Sequence, residues 1–162
     1  MNGNEEDDVN VSDLTLRDGV GVNGHGASIH LDNVSVQNSG NCGVVVYGTK
    51  RSTMKNCNVS HSKMSGLWVY DGGLMTIDGN GTTIHHNCTT RLNGLWDYGL
   101  NTTSSSSIHL ASSLTIETIS KNNGGGGNYG GYGTIAVVDN EGTIIETIQE
   151  PEDSEDDTDY DY

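Results

Sequence analysis

The stretch that decides the fold runs Thr53-Met-Lys-Asn-Cys-Asn-Val-Ser-His-Ser62, then Gly66-Leu-Trp-Val-Tyr70, then Leu74-Met-Thr-Ile77. Short apolar-polar alternations are separated by Asn, Ser, Asp and Gly. Period-2 alternation between such punctuating residues marks a half-buried strand. Asn, Asp and Gly tolerate the positive φ of a sharp corner. Working outward, the same pieces recur in fixed order. A leading strand reads Ser28-Ile-His-Leu31, Thr53-Met-Lys-Asn56, Leu74-Met-Thr-Ile77 and Ser107-Ile-His-Leu110. A second reads Leu14-Thr-Leu16, Val34-Ser-Val36, Val59-Ser-His61, Ile84-His-His86 and Leu114-Thr-Ile116, in steps of 20, 25, 25 and 30 residues. A third reads Gly43-Val-Val-Val-Tyr47, Gly66-Leu-Trp-Val-Tyr70 and Gly94-Leu-Trp-Asp-Tyr98.

A unit of this length cannot bury its apolar face alone, so copies stack. The expected fold is all-β: a right-handed parallel β-helix (solenoid) of about five short coils, with disordered acidic ends. Equivalent strands pair in parallel at about 4.8 Å, and parallel crossovers set the hand. The expected inward columns are Val34, Val59 and Ile84; Ile29, Met54 and Met75; and Val44, Leu67 and Leu95. An antiparallel sandwich competes, but gives no reason for three patterns to recur in one order.

The chain has 162 residues, enough for one modest core, and a formal net charge of -15 from 22 acids and 7 bases. Four acids fall in Glu5–Asp8 and eight in Glu150–Tyr162, leaving ten against all seven bases, a net of -3 for the middle. The sequence therefore divides into an acidic arm over 1–9, a repeat domain over 10–121, a Gly-rich loop with a possible capping hairpin over 122–148, and a disordered acidic tail over 149–162. The overall charge argues against nucleic acid and anionic membrane as partners, though the near-neutral middle weakens that argument. No window approaches the ~20 apolar residues of a membrane helix. The start lacks the pattern of a signal peptide, so an intracellular or virion-associated location is the default expectation.

These residues, with Leu31-Asp-Asn-Val-Ser-Val-Gln-Asn-Ser-Gly40 and Ile77-Asp-Gly-Asn-Gly-Thr-Thr-Ile-His-His-Asn-Cys88, resemble the right-handed β-helix repeat of the pectin-lyase-like superfamily. They are similar in particular to β-helix repeat proteins of large DNA viruses and protists. The resemblance covers roughly residues 10–120. It implies the fold and leaves the activity open, since members of that superfamily include enzymes on acidic polysaccharides and surface proteins.

Several candidate sites follow. Gly24-His25-Gly26 resembles an element of polygalacturonases, but the accompanying acid pairs are missing, and inverting hydrolysis needs two carboxylates. A polysaccharide lyase needs a Ca²⁺ cluster and a base. Asp71, Asp78 and Asp97, with Lys50, Arg51, Lys55 and Lys63 nearby, are the residues to consider, and turn roles explain the acids. His61 and His86 lie one 25-residue step apart. They are expected to stack, with His85 pointing away. Three cysteines, Cys42, Cys57 and Cys88, suit reduced thiols. Six Asn-x-Ser/Thr matches, from Asn10 to Asn101, reflect an Asn/Ser/Thr-rich composition.

The aromatic set carries more. By alternation Leu67 and Val69 point inward, so Trp68 and Tyr70 point outward, where aromatic planes can take a sugar ring or anchor a protein. Trp68 and Trp96 are read as one repeat position, and Tyr47, Tyr70 and Tyr98 as another. The expected function is a non-catalytic scaffold presenting a flat aromatic face to a polysaccharide or protein partner. Its residues are Trp68, Trp96, Tyr47, Tyr70 and Tyr98, with Lys50, Arg51 and Lys55 at the margin. No catalytic residue, metal or cofactor is assigned. The alternatives are a carbohydrate-active enzyme, lyase or hydrolase, a degenerate fragment of one, or a piece of a longer β-helix.

Overall fold

The computed structural model describes residues 8–48, 51–90, 96–103 and 105–151, apart from the side chain of His25. Three sheets wind about one core. The first holds β1 (Asp8–Ser12), β4 (Ser28–Asp32), β7 (Arg51–Lys55), β10 (Leu74–Asp78), β13 (Ser107–Ala111) and β16 (Thr134–Val138), stacked in that order, with β17 (Ile144–Gln149) at its end. The second stacks β2 (Thr15–Arg17), β5 (Ser35–Gln37), β8 (Asn58–Ser60), β11 (Thr83–His85) and β14 (Ser120–Lys121). The third stacks β3 (Val22–His25), β6 (Val44–Tyr47), β9 (Leu67–Tyr70), β12 (Tyr98–Thr102) and β15 (Gly127–Gly131). Every pairing is parallel except β16 with β17, so the architecture is a solenoid of five coils. The antiparallel sandwich is excluded by that register. One helical turn, α1 (Ile116–Ile119), interrupts the pattern.

The corners explain the Asn, Asp and Gly content. The residue directly after a strand adopts the left-handed conformation in every coil of the second sheet: Asp18, Asn38, His61, His86 and Asn122, with φ from 54° to 59°. Asp13, Asn33, Asn56 and Gly79 do the same after the first sheet, and Gly26, Gly48 and Asp71 after the third. Asx residues and His are enriched in this region because their short polar branches bond locally. The corners also ladder: Asn33 Nδ2 donates to Asp13 Oδ1 at 2.7 Å, and Asn38 Nδ2 donates to Asp18 Oδ1 at 3.2 Å.

The core columns differ in phase from the sequence reading. Val59 pairs with Val36, so the column is Leu16, Val36, Val59, Ile84, and Val34 sits one corner earlier. Ile29 and Met54 belong to different columns: Leu31, Met54 and Ile77 form one, while Met75 pairs with Ser52 and Ile108. Leu100 pairs with Leu67, in the place expected for Leu95, which lies outside the described residues. Leu114-Thr-Ile116 is no strand. β14 takes the fifth place beside β11, and the extra residues coil into α1, which buries Ile116 and Ile119. The arm's first seven residues and the tail beyond Pro151, where the sequence reading expects disorder, lie outside the described residues.

Candidate functional site

The third sheet carries the aromatic residues, and its register starts with glycine. Gly43, Gly66 and Gly99 stand one above the other just before or at the start of their strands. A Cβ on Gly66 would come within 2.5 Å of Ile84 Cγ2, 2.7 Å of Asn87 Nδ2 and 2.8 Å of the Gly99 carbonyl. Only glycine fits so close an approach. The stacked partner of Gly66-Leu67-Trp68 is therefore Gly99-Leu100-Asn101, not Gly94-Leu95-Trp96. Trp68 faces Asn101 across the strands, and Trp96 lies in the turn ahead of β12, 67% exposed. Tyr98 likewise leaves the Tyr column. Tyr47 pairs with Tyr70, and Tyr98 opens β12 with its ring beside Gly130.

The aromatics thus form two groups. In the first, Tyr47 stacks on Tyr70 at 4.9 Å between centroids, and Trp68 stacks on Tyr70 at 4.4 Å. All three are half-buried, so much of their ring area is spent on each other. The second group surrounds a cavity of about 330 Å³ lined by Trp96, Tyr98, Tyr129, Tyr132, the backbone of Gly130 and Gly131, and Gln149. Trp96 and Tyr132 lie 6.3 Å apart at 30°. Tyr129 and Tyr132 are 40% and 38% exposed. Gln149 Nε2 donates to the carbonyls of Gly133 at 2.7 Å and Gly131 at 3.1 Å, which fixes the amide across the cleft floor. Neither the phenol oxygens of Tyr98, Tyr129 and Tyr132 nor the Trp96 indole N–H has a hydrogen-bond partner among the described residues. Among the described residues, the cleft lining contains no charged side chain.

Tyr129, Tyr132 and Gln149 were not singled out by the sequence. Their signal was the pair of tyrosines in Asn128-Tyr-Gly-Gly-Tyr132, where glycines bring the backbone close under an aromatic ring: a Cβ at Gly130 would collide with Tyr98. The basic margin is dispersed. Arg51 opens β7 on the first sheet, just past the corner that follows Tyr47, and Lys55 closes that strand four residues farther on. Lys50 lies outside the described residues.

The remaining candidates separate. Asp71 is a left-handed corner residue. Asp78 Oδ1 accepts the Gly79 N–H at 2.6 Å. Asp97 is buried, with Oδ1 accepting from Ser65 Oγ at 3.1 Å and Oδ2 without a partner. As placed, no three His, Cys, Asp or Glu donors among the described residues converge on one cation position. His25 closes β3. The thiols are buried, and desolvation followed by the Asp97 charge pushes Cys42 up to about 11 and Cys88 to about 12. No helix among the described residues is long and apolar enough to cross a membrane. His85 does not point away from His61 and His86. All three imidazoles meet, because the left-handed corner at residue 86 turns that ring back over His85.

Comparison with protein families matches residues 18–146 to the family described as "Right handed beta helix region". Comparisons with curated proteins and with solved structures return no match.

Proposed function

We propose that this chain, which belongs to the right-handed β-helix family, is a recognition scaffold whose aromatic cleft takes an uncharged carbohydrate. The observation that carries the reading is the cleft of Trp96, Tyr98, Tyr129 and Tyr132, in which exposed ring faces stand beside polar tips that have no partner among the described residues. A sugar offers both halves of that complement: C–H faces for the rings and hydroxyls for the phenols, the indole N–H and the Gln149 carbonyl oxygen. Absence of charge in the lining favours a neutral sugar. A polyuronate gains no cation from the described lining residues.

The Tyr47–Tyr70–Trp68 stack extends the aromatic surface along the same sheet. β9, which carries Trp68 and Tyr70, is the neighbour of β12, and β12 of β15. Strand spacing of about 4.8 Å places the two groups within reach of one oligosaccharide. A flat protein partner is the second reading, supported by the exposed Trp96. The alternative of a carbohydrate-active enzyme draws no support from this cleft, since a glycosidase needs paired carboxylates flanking the bond. A glycan array probed with the full chain tests the proposal. Binding of neutral glycans that is lost in the Trp96→Ala, Tyr132→Ala double variant supports it. Binding confined to uronic-acid polymers, or cleavage of any glycan, overturns it.

A further inference from the structure

The two ends of the first sheet are finished differently. At one end β17 adds to β16 as an antiparallel strand. At the other end β1 is the outermost strand among the described residues. The Asp13 N–H donates to the Asp32 carbonyl at 3.1 Å, so the ladder toward β4 uses the backbone of Val9, Val11 and Asp13. Alternate residues of a parallel ladder turn their backbone groups to opposite neighbours. Asn10 and Ser12 therefore hold their N–H and C=O groups toward the open edge, a row that can template another strand. The side chains alternate between the two faces. Val9 and Val11 point inward, in register with Ile29 and Leu31. Val9 is nevertheless exposed and Val11 only half-buried, since no described strand stacks beyond them. Charge at this end is one-sided: through residue 29 the sequence holds Glu5 to Asp8, Asp13 and Asp18 against Arg17 alone.

We infer that β1 is a docking edge for an extended segment of a partner protein in which basic and apolar residues alternate. The added strand exchanges backbone hydrogen bonds with Asn10 and Ser12. Its apolar side chains continue the Val9–Ile29 and Val11–Leu31 columns and cover the open end of the core. Its Lys or Arg side chains fall on the outer face, one strand spacing of about 4.8 Å from Asp8, with Asp32 beside Ser12 on the next strand. Asp8 keeps an exposed carboxylate even with His30 Nε2 at 3.5 Å from its Oδ1. Each cross-strand charge pair contributes modestly, so the alternation over several positions gives the affinity. The sheet already accepts an antiparallel strand at its other terminal edge, where β17 pairs with β16. A second copy of the chain is the poorer occupant. Edge to edge, two β1 strands set Asp8 and Asp13 against the same acids, and the opposite end of the sheet carries Glu141 and Glu146. Like charges facing across strands are destabilising. The inference is independent of the aromatic cleft, which lies on the third sheet.

The test is calorimetric titration of the full chain with a synthetic peptide of alternating Lys and Val. A peptide of the same composition with Lys and Val in separate blocks is the control for general attraction to the acidic ends. The comparison variant is Asn10→Pro, which removes a free N–H and sets a ring across the edge. Proline is tolerated where a strand's N–H faces solvent, and the ladder to β4 does not use this amide; circular dichroism checks the fold. The expected result is binding of the alternating peptide, with a loss of roughly tenfold in Asn10→Pro, whose acids are unchanged. The blocked peptide binds the wild type more weakly by a similar factor. Residue-by-residue amide exchange on the wild-type complex is the second readout, and protection of Asn10 and Ser12 is expected there whether or not the variant folds. Equal binding of the two peptides, no binding of either, or full affinity in Asn10→Pro overturns the inference. So do Asn10 and Ser12 amides that stay unprotected in the complex, or that gain protection in the free chain as its concentration rises, which would assign the edge to a second copy.

Discussion

Substituting Leu100 by Ala decides whether the third sheet is in the register described. Leu100 is fully buried and pairs with Leu67 on one side and Tyr129 on the other. Truncation removes roughly three carbon groups, about 2.4 kcal/mol of transfer energy. The cavity left behind raises the total to about 3 kcal/mol, within the usual range of 2.7–5.0 for buried leucines. That is about a 150-fold loss in the folding constant, and for a chain of this length about 6–12 °C in Tm. The paired measurement is Trp96→Ala. Trp96 is 67% exposed, and its carbonyl, which accepts from Asn101 Nδ2 at 3.0 Å, survives the change. Its cost is within about 0.5 kcal/mol. Urea unfolding followed by circular dichroism measures both. If Trp96→Ala costs as much as Leu100→Ala, the alignment of Gly66 with Gly99 is wrong.

Asn87, buried, accepts the Ser62 N–H at 3.0 Å and donates to the Val59 carbonyl at 3.1 Å, so Asn87→Leu strands a buried donor. The expected loss is about 1–3 kcal/mol by urea unfolding; a neutral result refutes the role of this ladder. The buried, poorly acidic thiols Cys42, Cys57 and Cys88 resist a thiol reagent in the native chain and all react after denaturation. Fast labelling of native protein contradicts their placement. His85 and His109 both have lowered pKa values, chiefly through burial. A base held below its unfolded value of 6.5 is bound to fewer protons when folded, so its stabilisation is present above that pH and declines as pH falls below it. Stability therefore falls on mild acidification below 6.5, and His85→Gln with His109→Gln flattens that slope in a pH series of urea titrations.

The strands and corners were legible because alternation and Asx residues report directly on backbone geometry. The phase between coils was not. Val34 and Val36 have the same parity and are both buried, so a slip of two residues keeps every apolar side chain inside and costs the pattern nothing. What fixes the phase is contact between coils, such as the room above Gly66, which no single segment carries. The second Gly-Leu-Trp, residues 94–96, misled for the same reason: it copies residues 66–68 in letters, while Gly99-Leu100-Asn101 copies them in space. The cleft was half legible. Trp96 and Tyr98 stood out as aromatics, but Tyr129, Tyr132 and Gln149 come from a Gly-rich segment and from the closing strand β17, and only the fold brings them together.

The most direct test of the cleft is a tryptophan-fluorescence titration of the full chain with a neutral oligosaccharide selected on the array, repeated on Trp68→Ala and on Trp96→Ala. Trp96 stands in the cleft with its face in solvent, whereas Trp68 is stacked on Tyr70. The account predicts a saturable signal in the wild type that persists in Trp68→Ala and vanishes, together with binding by calorimetry, in Trp96→Ala. Undiminished calorimetric binding by Trp96→Ala would contradict it.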